Sequence, residues 1–201
     1  MIQPDKGALT RTFFIAAAPP KHIQDVLEKI RHQDPANWRW QHPEDYHISM
    51  AFPGKQDEAG LEKIKDALSK LKFQPFKVAV HGLKSFNRSG HPQEAPHVLW
   101  AGLNASGDAH FRELHKRLCA ELEKSGIPFG KRDQEPHITV AKVPNNDIDG
   151  LLKIIRDNDD LSSADWLCDE VILYETFSKS RPADSANESP YREIARFKFN
   201  P

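Results

Sequence analysis

The sequence predicts an α+β fold of two pseudo-symmetric lobes, each with helices and an antiparallel-rich sheet, with a groove between the lobes. Segments with the two-residue period of strands alternate along the chain with segments that have the helical period. The segment PEDYHISMAF at 43–52 is echoed by DQEPHITVAK at 133–142, so that His47 and His137 lie 90 residues apart in a chain of 201. No low-complexity tract or linker divides the chain, and we expect residues 1–201 to form a single bilobal domain.

The first half is predicted to contain three strands and two helices. Residues 11–18 (RTFFIAAA) are aromatic and apolar, which is typical of a strand, and Pro19-Pro20 end it. Residues 46–52 (YHISMAF) alternate, and the following Pro53-Gly54 predicts a turn. The other predicted elements are a helix with Ile23, Val26, Leu27 and Ile30 on one face, a loop over 31–45 enclosing Trp38 and Trp40, a helix with Leu61, Ile64, Leu68 and Leu71 on one face, a strand over 76–81 and an exposed loop over 84–96.

The second half is predicted to contain four strands and two helices. Residues 97–103 (HVLWAGL) are almost continuously apolar, which indicates a central strand, and residues 137–143 (HITVAKV) form a strand that stops at Pro144. The other predicted elements are a helix with Phe111, Leu114, Leu118 and Leu122 that ends near Gly126, a helix with Ile148, Leu151, Leu152 and Ile155, and strands over 169–176 and 191–199 joined by a polar loop.

Composition excludes several classes of protein. The 28 Lys and Arg against 29 Asp and Glu give a net charge of −1, so no global basic field holds long nucleic acid, and any such contact is local. No apolar run is long enough for a membrane span, and the first ten residues contain no secretory h-region. The two cysteines, Cys119 and Cys168, form no CxxC pair or disulfide framework. We therefore expect a reducing, cytoplasmic setting.

The repeated His-Ile-Ser/Thr motif is the feature that indicates chemistry. Residues i and i+2 of a strand share a face, so His47 lies beside Ser49, and His137 lies beside Thr139. The residues predicted to point the other way are Ile48, Met50, Phe52, Ile138 and Val140. Two imidazoles across a cleft can serve as general acid and general base near neutral pH, and the two hydroxyls can donate to a phosphate. The residues alone leave open which histidine is the acid.

A single His-x-Ser or His-x-Thr is usually an ordinary surface pair. Two copies with matching apolar faces, half a chain apart, favour a functional site. Other histidines show no metal-ligand spacing: His81, His91 and His97 lack a completing Cys or carboxylate cluster. His110 and His115 are expected to be solvated on a helix surface. The chain also lacks a P-loop and a G-x-S-x-G elbow, which argues against an NTPase and a serine hydrolase.

Five segments together carry a family resemblance: RTFFIAAAPP, HISMAFPG, HVLWAGL, RDQEPHITVAK and the closing VILYETFSKSRPADSANESPYREIARFKF, which contains Tyr191. In these segments the chain resembles the two-histidine (2H) phosphoesterase superfamily, and within it the RNA 2′,3′-cyclic phosphodiesterases, also called 2′-5′ RNA ligases. The resemblance implies the 2H phosphoesterase fold, with the active site in the groove between the lobes. It also implies hydrolysis of a terminal 2′,3′-cyclic phosphate to a 2′-phosphomonoester without metal or cofactor.

The resemblance carries roles over to five residues. His47 would donate a proton to the leaving 3′-oxygen, and His137 would activate water. Ser49 and Thr139 would hold the phosphate, and Arg132 occupies the position of a phosphate-contacting arginine. Ser49 in place of Thr keeps the hydroxyl. The implied partners are RNA ends or small cyclic-phosphate nucleotides, and we expect a monomer that binds neither a membrane nor a metal.

Two alternatives stay open at this point. One is the same chemistry on another substrate, such as a 2′-5′ oligonucleotide or an ADP-ribose cyclic phosphate. The departures at Gln134, Glu135 and Lys142 from the family pattern bear on substrate preference rather than on chemistry. The other alternative is a non-catalytic module that binds RNA ends, although both histidines and both hydroxyls are present.

Overall fold

The structure is a computed structural model that describes residues 10–31, 38–87, 97–130, 135–176 and 189–200. Within these ranges the first half forms β1 (Arg11–Ala17), α1 (Lys21–Arg31), β2 (Arg39–Trp40), a 3₁₀ helix (Pro43–Asp45), β3 (Ile48–Gln56), α2 (Glu58–Ser69), β4 (Phe76–Val78) and β5 (Val80–Asn87). The second half forms β6 (His97–Leu103), α3 (Ala105–Lys124), β7 (Ile138–Val143), α4 (Ile148–Asp157), β8 (Trp166–Cys168), β9 (Glu170–Thr176) and β10 (Tyr191–Lys198).

Most strands join one antiparallel sheet in the order β10-β9-β1-β3-β7-β6-β5, and β2 pairs with β7. The two lobes of this sheet meet at its middle, where β3 and β7 pair through Ile48 and Ile138. Each lobe contains strands from both halves of the chain, since β9 pairs with β1 and β5 pairs with β6. The predicted α+β bilobal fold is confirmed. The sequence did not predict that each lobe would combine strands from both halves of the chain.

A pseudo-twofold relation connects the two halves. Ile48 pairs with Ile138, and in the separate β4–β8 ribbon Lys77 pairs with Leu167. Each pair joins positions 90 residues apart, as expected where a twofold axis passes between two equivalent strands. The same interval separates the two histidine motifs, so the fold places the motifs at equivalent positions on either side of the axis.

The helices pack their apolar faces on the sheet. Along α3 the side chains predicted for the core, Phe111, Leu114, Leu118 and Leu122, are all buried. Asn104 caps this helix, because its Oδ1 accepts from Gly107 N at 3.1 Å. Among the described residues no helix combines the length and the apolar composition that crossing a bilayer requires.

Matching bulges interrupt the two central strands. In the β1–β3 pair, Ala16 lies opposite Ser49 and Ile15 lies opposite Ala51, which leaves Met50 as an extra residue. The β6–β7 pair skips Val140 in the same way. A bulge inserts one residue into one strand, so the alternation of faces shifts by one position beyond it.

The structure differs from the predicted elements at several boundaries. β3 begins after His47 and runs through Pro53-Gly54 to Gln56, so the predicted turn is wrong; Gly54 adopts a φ of +72° within the strand. The predicted strand over 76–81 divides at Ala79, and residues 84–87 of the predicted loop extend β5, while 88–96 lie outside the described residues. β2 and β8, with two and three residues, are too short to show a period.

Candidate active site

A cavity of about 540 Å³ lies between the lobes and brings both motifs together. His47, Ser49, His137 and Thr139 all line it, and its volume is typical of small-molecule sites. Arg132 lies outside the described residues. The other lining residues are Gln41, Asp45, Met50, Phe52, Phe111, Arg112, His115, Lys116, Gly130, Glu135, Pro136, Lys142 and Tyr191.

The backbone orients the two motif histidines in the same way. His47 Nδ1 donates to the carbonyl of Asp45 at 2.8 Å, and His137 Nδ1 donates to the carbonyl of Glu135 at 2.7 Å. Each histidine stands immediately before its strand, where the backbone leads into β3 or β7. Because a carbonyl oxygen only accepts, Nδ1 carries the proton in each neutral ring, and Nε2 is the nitrogen available for proton transfer.

Aromatic rings surround the imidazole of His47. The rings of Phe14 and Tyr191 lie 5.1 and 5.5 Å from it, between centroids. Burial lowers the pKa of His47 below its ordinary value of 6.5. The hydrogen bond to the Asp45 backbone and the charge of Asp45 raise this pKa, whereas the charge of His137 lowers it further. The two imidazoles are therefore close enough to influence each other electrostatically, and neutral His47 is favoured in the free protein.

A second aromatic pair flanks His137. Trp100 on β6 and Phe86 on β5 lie 5.3 and 5.5 Å from its ring, between centroids. Lys84 Nζ contacts Glu135 Oε1 at 2.5 Å and lies 5.2 Å from the centroid of Trp100. Lys84 thus links Glu135, whose carbonyl accepts from His137, to Trp100, whose ring lies against the same imidazole.

Asp45 has a second role that the sequence did not indicate. The residue is only 3% exposed, and its Oδ1 accepts from Ser189 Oγ at 2.6 Å. The backbone N–H of Tyr191 in turn donates to Ser189 Oγ at 3.2 Å. These bonds hold the start of β10 beside the first motif and place the Tyr191 ring against His47. Since 144 residues separate Asp45 from Ser189, no local pattern predicts the contact.

The bulges bring Phe52 and Lys142 to the cavity. Phe52 follows the Met50 bulge and Lys142 follows the Val140 bulge, and both residues line the cavity. The prediction that Phe52 points away from His47 is therefore wrong, because simple alternation ignores the extra residue. Met50 is buried, as predicted, but it also lines the cavity.

A third histidine also lines the cavity. His115 on α3 is partly buried, and its Nδ1 donates to the carbonyl of Met50 at 2.7 Å. Its expected solvated position is therefore wrong, whereas His110 is exposed and stacks on Phe76 at 4.9 Å. In the described part of the chain no group of three His, Cys, Asp or Glu residues is placed to hold a metal ion.

The arrangement suits proton transfer around a bound anion. Because both rings present Nε2 to the cavity, one imidazole can donate a proton to a bound group while the other accepts a proton from it or from water. The hydroxyls of Ser49 and Thr139 lie in the same cavity as hydrogen-bond donors, and Lys142 adds a positive charge. An anion seated between them would stabilise a protonated imidazole.

Comparisons with known proteins identify relatives by sequence. A family model described as the 2′-5′ RNA ligase superfamily matches residues 19–178. The RNA 2′,3′-cyclic phosphodiesterase of Archaeoglobus fulgidus is 34% identical over 101 residues, which cover 50% of this chain and 53% of that protein. The proteins of the same name from Aeropyrum pernix and Geobacillus stearothermophilus are 26% and 27% identical, over 59% and 79% of this chain. The matches span 65% and 46% of those two proteins, so the chain spans about half to two thirds of these relatives.

Solved structures share the fold over almost the whole chain. E. coli LigT in apo form superposes with a TM-score of 0.69 at 16% identity, covering 96% of this chain and 99% of LigT. LigT complexed with 3′-AMP gives the same TM-score and identity, over 96% of this chain and 100% of that one. The protein TT0787 of Thermus thermophilus gives a TM-score of 0.67 at 19% identity, covering 94% of this chain and 97% of that one.

Proposed function

The chain belongs to the 2′-5′ RNA ligase superfamily, and from this premise we propose that it hydrolyses the 2′,3′-cyclic phosphate at RNA 3′ ends to a 2′-phosphomonoester. One observation carries the proposal. His47 and His137 lie on the same cavity, and each donates its Nδ1 proton to a backbone carbonyl two residues earlier. Both Nε2 atoms are thus prepared for proton transfer on either side of one bound group.

The names of the relatives support this substrate class. Several are RNA 2′,3′-cyclic phosphodiesterases, and LigT has been solved with the nucleotide 3′-AMP. The chain spans about half the length of two of these relatives, and we extend their named activity to it. The cavity agrees with it, since hydroxyl, imidazole and ammonium groups are the donors that a phosphate requires.

The reaction that we propose is an in-line displacement at phosphorus. His137 Nε2 takes a proton from a water molecule as the water oxygen bonds to phosphorus. The bond from phosphorus to the 3′-oxygen breaks, and His47 Nε2 gives its proton to that oxygen. Ser49 and Thr139 donate hydrogen bonds to the non-bridging oxygens, where negative charge accumulates. The product carries a 2′-phosphate and a 3′-hydroxyl, and the two imidazoles return to their starting states by exchange with solvent.

The lowered pKa of His47 fits the role of proton donor. A cyclic phosphate carries one negative charge, which favours the protonated imidazole once the substrate is seated beside it. Burial works in the opposite direction and makes the same proton easier to release. His47 would therefore be charged by substrate binding and would lose its proton readily to the departing oxygen.

The proposed function also includes a third phosphate contact, independence from metal and a monomeric state. Arg132 is proposed as a further phosphate contact from its position in the family motif. The proposed reaction uses neither a metal nor a cofactor, and the protein is proposed to act as a single-domain monomer in the cytoplasm. Activity in excess EDTA tests the independence from metal, and the mass measured by sedimentation tests the monomer.

The test of the function is turnover of 2′,3′-cyclic AMP and of a short RNA with a 2′,3′-cyclic end, in excess EDTA, with the phosphate position of the product determined. We expect the 2′-phosphate. His47→Ala and His137→Ala should each lower kcat by about 10²- to 10⁴-fold, the usual contribution of general acid–base catalysis. His22→Ala, which removes an exposed histidine from α1, is the matched control and should leave kcat unchanged.

The outcomes separate the alternatives. Wild-type turnover in both His47→Ala and His137→Ala would reject the two-histidine mechanism. A 3′-phosphate product would show that the 2′-oxygen leaves instead of the 3′-oxygen. Absence of turnover on both substrates would direct the same preparation to 2′-5′ oligonucleotides and ADP-ribose cyclic phosphate. Tight binding of a cyclic end without product would indicate the non-catalytic module.

The assignment of acid and base needs its own experiment. In an analogue with sulfur in place of the bridging 3′-oxygen, the thiolate leaves without being protonated. If His47 is the acid, His47→Ala should recover most of its activity on this analogue, while His137→Ala should not. The opposite result would exchange the two roles.

A further inference from the structure

Beyond the paired motifs, the cavity extends along one face of α3. Arg112, His115 and Lys116 line it there, and we name these three residues the α3 wall. They are three and four residues apart, so their side chains share one face of the helix. Arg112 and Lys116 are separated by about 6 Å along the helix axis. The wall is therefore one turn of helix with three nitrogen-bearing side chains beside the cavity.

The wall is joined to the phosphate side of the cavity through His115. Its Nδ1 donates to the carbonyl of Met50, the residue that follows Ser49 in β3. His115 therefore contacts β3 one residue beyond Ser49, whose hydroxyl is proposed to hold the reacting phosphate, and both residues line the same cavity. A group bound on the wall would thus be a near neighbour of the reacting centre, and distinct from it.

The pseudo-twofold symmetry breaks at this point. The equivalent bulge carbonyl, that of Val140, accepts from the backbone N–H of Gln41 at 2.8 Å, and no side chain of α1 lines the cavity within the described ranges. α3 has 20 residues against 11 in α1. The longer helix therefore contributes basic side chains to the cavity, whereas its counterpart α1 contributes none, although the catalytic groups proposed above are paired.

Lys116 places a positive charge at the exposed surface of the wall. Lys116 is exposed, and in the described part of the chain it forms no ion pair. Arg112 is also exposed, and it pairs with Asp108 on its own helix at 2.7 Å. With a net charge of −1 for the whole protein, such a local patch is the kind of basic surface that composition allows.

From this arrangement we propose that the α3 wall binds a second phosphate of the substrate, the one attached to the 5′-oxygen of the nucleotide that carries the cyclic end. The proposal rests on the proposed function and narrows its substrate class. An RNA end or a 5′-phosphorylated nucleotide would be preferred over a bare nucleoside cyclic phosphate. Backbone phosphates bound by side-chain cations carry no sequence information, so the preference would not depend on the base.

The experiment compares three substrates: adenosine 2′,3′-cyclic phosphate, the same nucleotide with a 5′-phosphate, and the dinucleotide ApA with a cyclic end. Lys116→Gln should lower kcat/KM for the second and third by about three- to tenfold and leave the first unchanged. Lys116→Arg should keep the preference. Lys63→Gln, which removes an exposed lysine from α2 outside the cavity, is the matched control and should change none of the three.

A binding measurement keeps this test independent of turnover. The affinities of adenosine 2′-phosphate and of ApA with a terminal 2′-phosphate are measured by titration in wild type and in Lys116→Gln. The variant should weaken only the dinucleotide, and high salt should reduce the difference. Equal effects on both ligands, or on all three substrates, would overturn the second phosphate site. Selective weakening of the dinucleotide in a protein without any turnover would reject the function and keep the site.

Discussion

At the scale of single residues, the two motif histidines are alike in what holds them and unlike in what surrounds them. Each Nδ1 is bound by a carbonyl two residues earlier, which fixes the same tautomer. His47 lies against Phe14 and Tyr191, whereas His137 lies against Trp100 and Phe86. Different aromatic surroundings can thus assign different proton affinities to two groups that the backbone presents identically.

The first prediction concerns pH. kcat/KM reports groups of the free enzyme, and a mechanism with one acid and one base gives a bell whose rising limb follows the lower of their two pKa values. Because burial lowers the pKa of His47, we expect the rising limb to lie below pH 6.5. Tyr191→Ala opens one side of the imidazole to water, so the pKa should rise and the limb should move towards pH 6.5.

The control for this prediction is Tyr174→Ala. Tyr174 stacks on Phe14 at 5.1 Å, one ring further from His47, and its removal changes the same aromatic group. It should move the limb less than Tyr191→Ala does. Equal shifts in the two variants, or a shift to lower pH, would contradict burial as the cause.

The second prediction concerns the hydroxyls. Ser49→Ala removes a donor to the phosphate and should lower kcat/KM for 2′,3′-cyclic AMP by about tenfold to a hundredfold. This loss is smaller than the loss expected for a fully buried donor, because Ser49 is partly exposed. Ser49→Thr restores the hydroxyl and should retain activity, as should Thr139→Ser. If Ser49→Ala kept full kcat/KM, its hydroxyl would have no part in holding the phosphate.

At the scale of elements, the strands carry the site, and their irregularities complete it. Strand periodicity places His47 with Ser49, and His137 with Thr139, and this much follows from the sequence. The bulges at Met50 and Val140 bring Phe52 and Lys142 to the same cavity, and alternation alone cannot foresee them. A bulge depends on the register with a neighbouring strand, which is a property of the folded sheet.

The third prediction tests how α3 is anchored. Asn104 Oδ1 accepts from Gly107 N at 3.1 Å and from Ala79 N at 3.3 Å, so it caps the helix and also ties it to the β4–β5 junction. Asn104→Ala should lower the free energy of unfolding by about 1–2 kcal/mol, at the upper part of the range for an N-cap. Denaturant titration measures it. Ser106→Ala, two residues further on and exposed, should cost less than about 0.5 kcal/mol.

At the scale of the whole molecule, the two lobes are composed of strands from both halves of the chain. The sequence echo predicts two related lobes, and the 90-residue spacing of Ile48 and Ile138 agrees with it. The exchange of β5 and β9 between the lobes was beyond the sequence pattern, since period and composition do not name a strand's partner. The sequence predicted a groove between the lobes. It could not predict the α3 wall, because helical periodicity does not show which part of the molecule a helix face lies beside.

The fourth prediction follows from the exchange. Two fragments, 1–92 and 93–201, should each lack a cooperative thermal transition, because β1 loses β9 and β5 loses β6. Mixed or co-expressed, the fragments should recover the circular dichroism and the transition of the intact chain. Cooperative folding of either fragment alone would show that the exchanged strands are dispensable.

The pairing of β1 with β9 also determines when the protein can finish folding during synthesis. β1 ends at Ala17, and its partner β9 ends at Thr176, so the ribosome must make most of the chain before that edge is covered. An open, apolar strand edge is a template for pairing with other chains. Chaperones that shield such edges during translation would therefore matter more for this protein than for one whose halves fold in turn. Tyr191 on β10, the ring that lies against His47, is made later still, so the surroundings of the first motif are complete only after the second motif has been synthesised.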